Sequence, residues 1–114
     1  MAQTGKVDTL GWAQVIEDIV ARIVAGYAPE RVILFGSHAR GTPHEDSDID
    51  LLIIKQTDRR PEDRWMEVKR LLRDPYGAVP VSPFVYTPQE LEQRRAIKDF
   101  FIQEILETGK VLYG

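Results

Sequence analysis

The chain contains no cysteine, only two methionines and two histidines, and no apolar stretch near the roughly 20 residues that span a bilayer. Without cysteine there is no disulfide and no thiolate metal site, and a reducing, cytoplasmic location is expected. The opening residues, MAQTGKVDTLGW, lack a basic segment followed by an apolar run, so no secretory leader is expected. Repeats and low-complexity tracts are absent too. An excess of positive charge is also missing: 15 Lys and Arg stand against 18 Asp and Glu, for a formal net charge of -3. Broad nucleic-acid binding relies on many cation–phosphate contacts and is therefore disfavoured. A small phosphorylated ligand held by one or two local groups is not. The 114 residues, 43% hydrophobic and 29% charged, suit one folded domain over residues 1–114 with a packed core.

Hydrophobic periodicity predicts a first helix over 7–25, with Trp12, Val15, Ile16, Ile19, Val20, Ile23 and Val24 on one face and a stop at Gly26 and Pro29. RVILF (31–35) predicts a short strand. DIDLLIIK (48–55) predicts a second, whose aliphatic continuity implies burial on both faces. A helix is expected over 61–73 with Trp65, Met66, Val68, Leu71 and Leu72 inward. VPVSPFVY (79–86) predicts a third strand, confined to a sheet edge because Pro80 and Pro83 cannot donate to a ladder. Thr87-Pro88-Gln89-Glu90 has the form of a capping box opening a helix that runs to about Thr108, with Gly109 as its C-terminal cap. KVLY (110–113) is expected to add a final strand. The fold class is α/β (α+β), a small mixed β-sheet flanked by helices.

The segment FGSHARGTPHEDSDIDLLII (35–54) concentrates the chemistry. Side chains two apart on a strand share a face, so Asp48 and Asp50 project together while Ile49 points away. Two such carboxylates repel, and a cation between them relieves the repulsion. Mg²⁺ takes oxygen ligands and commonly uses one or two carboxylates plus substrate phosphates. Gly36-Ser37, directly after the first strand, lets backbone N–H groups approach a phosphate and adds a hydroxyl. Arg40 can meet phosphate oxygens in bidentate fashion, and Gly41 permits the following turn. Ser47 caps the loop ahead of Asp48 and belongs to the same nucleotide-binding segment. An isolated Asp-x-Asp is usually a turn. Seven fixed positions coinciding by chance is a roughly one-in-10⁸ event per site at ordinary residue usage. The joint pattern points to a nucleoside triphosphate bound through Mg²⁺.

Gly36-Ser37, ten residues, then Asp48-Ile49-Asp50 resembles the signature of the DNA polymerase beta-like nucleotidyltransferase superfamily. The fuller string, Gly36-Ser37-His38-Ala39-Arg40-Gly41 through Ser47-Asp48-Ile49-Asp50-Leu51, is similar to the minimal nucleotidyltransferases. The resemblance implies transfer of a nucleoside monophosphate, usually AMP from ATP, with release of pyrophosphate. It implies Asp48 and Asp50 as catalytic metal ligands for Mg²⁺, and Gly36 and Ser37 as triphosphate ligands. It further implies a HEPN-domain protein as partner in a toxin–antitoxin pair, since the chain has no room for a separate acceptor domain. The family's third carboxylate, on its third strand, aligns with Ser82, a neutral and poor ligand for a hard cation. No Asp or Glu lies between Gly77 and Gln89 to replace it, which leaves Glu45, Asp46 and Glu90 as substitutes from elsewhere. This position sets the alternative to an active enzyme: a weak or inactive nucleotide- or partner-binding module. His38 and His44 are expected in solvent, as are Arg59, Arg60, Arg94 and Arg95. Trp12 and Tyr27 are expected to pack with the first helix. Phe100 and Phe101, adjacent and unable to share one core, suggest a subunit interface and a homo-oligomer.

Overall fold

The computed structural model describes residues 9–44 and 47–114. In chain order the elements are α1 (Thr9–Tyr27), β1 (Arg31–Phe35), α2 (Ser37–Arg40), β2 (Ile49–Ile54), α3 (Pro61–Leu72), β3 (Val81–Tyr86), α4 (Pro88–Ala96), α5 (Phe100–Thr108) and β4 (Lys110–Tyr113). The strands form one mixed sheet in the order β3-β2-β1-β4. β1 is antiparallel to β2 and β4, while β2 and β3 run parallel. The expected sheet with flanking helices is present. β3 occupies an edge, as Pro83 within it requires, and Pro80 lies one residue ahead of the strand.

β2 is buried along almost its whole length, so both its faces are covered. On one face Val32, Leu34, Ile49, Leu51, Ile53 and Val81 pack against Ile19, Ile23, Val68 and Leu72 of α1 and α3. On the other, Ile33, Leu52 and Ile54 meet Ile102 and Ile105 of α5. Strand alternation therefore fixes where the site lies. Asp50, Leu52 and Ile54 share the α5 face, and Asp50 is half-buried where Leu52 and Ile54 are buried.

Several boundaries differ from expectation. α1 continues through Gly26 to Tyr27; Gly26 packs so closely on Leu71 that a Cβ there would sit 2.6 Å from its Cδ2. The expected start at Val7 lies outside the described residues. Trp65 and Met66 are not inward: they are 46% and 49% exposed, and Arg64 is buried instead. The helix expected to run from Pro88 to Thr108 is two helices. Lys98 adopts φ 57, and the Asp99 side chain accepts from the N–H of Ile102, restarting the chain as α5. A short polar side chain that caps locally outcompetes continuation of the helix. Gly109 closes α5 in an extended conformation, not a left-handed one. The capping box of Thr87 and Glu90 forms as read. No helix among the described residues is long and apolar enough to cross a membrane.

Candidate active site

β1 ends at Phe35, and Gly36 turns the chain at φ 80 into the single helical turn of α2. Two reasons require glycine here. The left-handed region is costly for other residues, and an added Cβ would collide with Oδ2 of Asp50. The first strand's turn and the second strand's carboxylate are thus in direct contact. Gly41, left-handed at φ 76, closes α2. Ser37, half-buried, opens α2, and its carbonyl accepts from the N–H of Thr42 at 3.0 Å.

Asp48 lies one residue ahead of β2 and is exposed; Asp50, inside the strand, is half-buried. Burial raises the Asp50 pKa, the charge of Asp48 raises it further, and Arg40 opposes both. The pair therefore sits close enough to feel its own repulsion, with Arg40 at hand. The Ser82 hydroxyl donates to Oδ2 of Asp48 at 3.1 Å, and Ser82 is the register partner of Asp50 across the parallel β2–β3 ladder. Asp48, Asp50, Gly36, Arg40 and Ser82 are gathered at one end of the sheet.

Ser47, one residue before Asp48, is buried. Its Oγ accepts from the N–H of His44, closing the loop as a cap. Glu90 does not replace the missing acid: it caps α4 beyond the far end of β3 and pairs with Arg64. Glu45 and Asp46 lie outside the described residues. Among the described residues no group of three His, Cys, Asp or Glu is placed to share a metal ion. Two mutually repelling carboxylates beside a hydroxyl do fit a hard divalent cation whose other ligands come from phosphates.

The expectation of a solvated His38 is overturned, whereas His44 is exposed as expected. His38 is 8% exposed, stands edge-on to Trp12 with ring centroids 5.0 Å apart, and hydrogen-bonds the Ser47 backbone. Its place on α2 turns it away from solvent toward α1, a long-range packing that local composition does not signal. It ties α2 to the loop that precedes Asp48. Burial lowers its pKa from 6.5. The folded state therefore resists a proton that the unfolded chain accepts. Its contribution to stability is complete above 6.5 and is lost as pH falls below it. Thermal melts on either side of that pH should show the loss in the native chain and a flatter profile in His38→Phe. Equal slopes would place the acid sensitivity elsewhere.

An aromatic wall borders the site and is not signalled by motif. Phe35, Phe84 and Phe101 form a triangle with ring centroids 5.6–5.7 Å apart. The alternation from Ser82 to Phe84 on one face of β3 is the trace it leaves in sequence.

Comparison with known proteins agrees with this fold. The family model "Polymerase beta, Nucleotidyltransferase" matches residues 17–114. A chain from Methanocaldococcus jannaschii, provisionally named a protein adenylyltransferase, is 38% identical over 84 residues, covering 74% of this chain and 78% of the relative. A second from the same organism, with the same provisional name, is 41% identical over 86 residues, which is 72% of this chain but 56% of its own length. Among solved structures, a provisionally named nucleotidyltransferase from Sulfolobus solfataricus superposes with TM-score 0.54 at 26% identity, over 80% of this chain and 85% of that one. A toxin–antitoxin crystallised with AMP-PNP superposes with TM-score 0.62 at 25% identity, over 86% and 73% respectively. With the family model matched across most of this chain, and Gly36 set against Asp50 in a mixed sheet, the chain belongs to the polymerase beta nucleotidyltransferase family.

Proposed function

We propose that this chain, acting as one domain over residues 1–114, transfers AMP from Mg²⁺–ATP to a hydroxyl on a protein acceptor. The acceptor is a HEPN-type partner, and the two form a toxin–antitoxin pair in which this chain is the antitoxin. The observation that carries the reading is the convergence of Asp48, Asp50 and Gly36 at one sheet end. The names borne by the relatives support a protein acceptor, and the toxin–antitoxin neighbour with AMP-PNP supports a nucleotide and a partner.

Asp48 and Asp50 would hold the cation, and Gly36, Ser37 and Arg40 the triphosphate. Bound there, Mg²⁺ would supply charge neutralisation at the phosphates and a lowered pKa for the attacking hydroxyl. The acceptor oxygen bonds to the α-phosphorus, the bond to the β-phosphate oxygen breaks, and pyrophosphate leaves. The acceptor's proton needs a base. Ser82 is neutral and already donates to Asp48, so it offers none.

That feature supports a second reading: a nucleotide- or partner-binding module with weak turnover. Incubation with labelled ATP, Mg²⁺ and the partner protein separates the two. Label on the partner supports transfer; a stable complex without label supports the module. Ser82→Asp places a third carboxylate beside Asp48 and Asp50. It is expected to tighten Mg²⁺ binding and raise the transfer rate by about 10-fold or more, the scale of one added general base or charged ligand. Isothermal titration and label incorporation measure both, and no change in either would remove Ser82 as the cause of weak catalysis.

A further inference from the structure

The aromatic wall at the edge of the carboxylate site has no assigned role. Phe35, Phe84 and Phe101 come from three different elements, β1, β3 and α5, and meet on the sheet face that also carries Asp50. Their position relative to the carboxylates follows from register. Phe35 pairs directly across from Asp50 on the antiparallel ladder. Phe84 lies two residues beyond Ser82, itself the partner of Asp50, so it stands about 7 Å further along the same face. The wall therefore begins where the phosphate-binding groups end.

The cluster is not closed over by the fold. Phe84 is 38% exposed and Phe101 41%, while the α5 residues that pack on the sheet, Ile102 and Ile105, are almost wholly buried. Three rings held in mutual contact, with two left open to solvent beside a polar site, form a rigid apolar surface. A nucleotide whose phosphates lie against Asp48, Asp50 and Gly36 carries its base one ribose away from them, on the scale of the roughly 7 Å that separates Phe84 from Ser82 along the strand.

We infer that Phe84 and Phe101, braced by Phe35, form the platform on which the base of the bound nucleotide stacks. The inference rests on the nucleotide reading of the Asp48–Asp50 site. Stacking reads the π face, which every base possesses, and not the hydrogen-bonding edge. The platform thus accepts adenine and guanine nucleotides comparably, and holds any base without naming it.

The test measures Mg²⁺-dependent binding of ATP, GTP and inorganic tripolyphosphate to the native chain, Phe84→Leu and Phe101→Leu by isothermal titration. Each substitution is expected to weaken ATP and GTP by about 10-fold, the scale of one lost base–aromatic stack, and to leave tripolyphosphate unchanged. Unchanged tripolyphosphate binding also shows that each variant is folded. The inference is overturned if either variant binds ATP as tightly as the native chain. It is equally overturned if ATP and tripolyphosphate weaken together, or if the native chain binds the two alike. Native protein that binds tripolyphosphate but gains nothing from a base would sink the platform and keep the phosphate site. Native protein that binds neither ligand would sink the nucleotide reading itself, and the platform with it.

Discussion

Replacing Asp50 with asparagine is expected to raise the melting temperature of the ligand-free protein while abolishing Mg²⁺–ATP binding and transfer. The two effects share one cause. Asp50 is half-buried against Gly36, and its charged form is disfavoured first by burial and then by the charge of Asp48. A carboxyl whose folded pKa is raised destabilises the folded state at pH values where it is ionised, and the penalty vanishes as pH falls through that raised pKa. Asparagine keeps the shape and removes the charge, so the neutral-pH penalty disappears and the melt should move up. The same charge is what a hard cation needs, so transfer should fall by about a thousandfold or more, as expected when a metal ligand carrying several kcal/mol of transition-state stabilisation is lost. Differential scanning calorimetry without ligand, with titration of Mg²⁺–ATP, reads both. In the native chain, proton and cation compete for Asp50, so Mg²⁺ affinity should rise with pH across the carboxylate range. An Asp50→Asn protein that melts lower and still binds Mg²⁺–ATP would remove Asp50 from the site.

The parts of this site that were legible in the sequence are the local ones. Asp48-Ile49-Asp50 and Gly36-Ser37 lie within one segment, and extended-chain alternation orients the two carboxylates. The edge position of β3 was readable from Pro80 and Pro83, because a missing N–H is a property of the residue and not of its neighbours. The place of Ser82 came from resemblance, and the parallel pairing of β2 with β3 makes it the register partner of Asp50. What the sequence concealed depends on partners distant in the chain. His38 is buried because Trp12 of α1 stands over it. The break between α4 and α5 arises where the Asp99 cap competes with a helix that propensity alone would continue. The meeting of Phe35, Phe84 and Phe101 needs three elements assembled at once. Arg64 is the clearest case. A charged residue in the middle of an amphipathic helix reads as surface, whereas Trp65 and Met66 read as core, and the structure reverses them. Two of its partners, Val85 and Glu90, lie 21 and 26 residues away.

That buried arginine leads to the largest expected loss of stability, and to an order of effects opposite to what burial alone suggests. The Arg64 guanidinium donates to both oxygens of Glu90, at 2.7 and 3.1 Å, and to the carbonyls of Arg59 and Val85, at 2.8 and 3.2 Å. Glu90 also accepts from the N–H of Thr87 and so closes the capping box of α4. One ion pair therefore fastens α3 to β3 and to the start of α4. The Arg64 side chain is 6% exposed and that of Glu90 39%. Glu90→Ala leaves a buried guanidinium without its counter-charge and removes the Thr87 N–H half of the α4 capping box, while Thr87 Oγ1 still accepts from the backbone N–H of residue 90. The cost should be about 3–5 kcal/mol, the range for stranding one partner of a buried pair, or a drop in melting temperature on the order of 10 °C. Arg64→Met leaves Glu90 near enough to water to rehydrate, and its main loss is two carbonyl hydrogen bonds, about 1–3 kcal/mol. The more exposed member of the pair is thus the more damaging one to remove. The double variant should be more stable than Glu90→Ala alone, because no unpaired buried charge remains. The Arg64 hydrogen bonds hold the Glu90 pKa below 4.5, so the pair's contribution is present above that pH and lost as pH falls through the lowered value. Urea denaturation of the native chain, the two single variants and the double variant measures the full cycle. Additive losses, or an Arg64→Met protein less stable than Glu90→Ala, would show that the pair is not what joins α4 to the sheet.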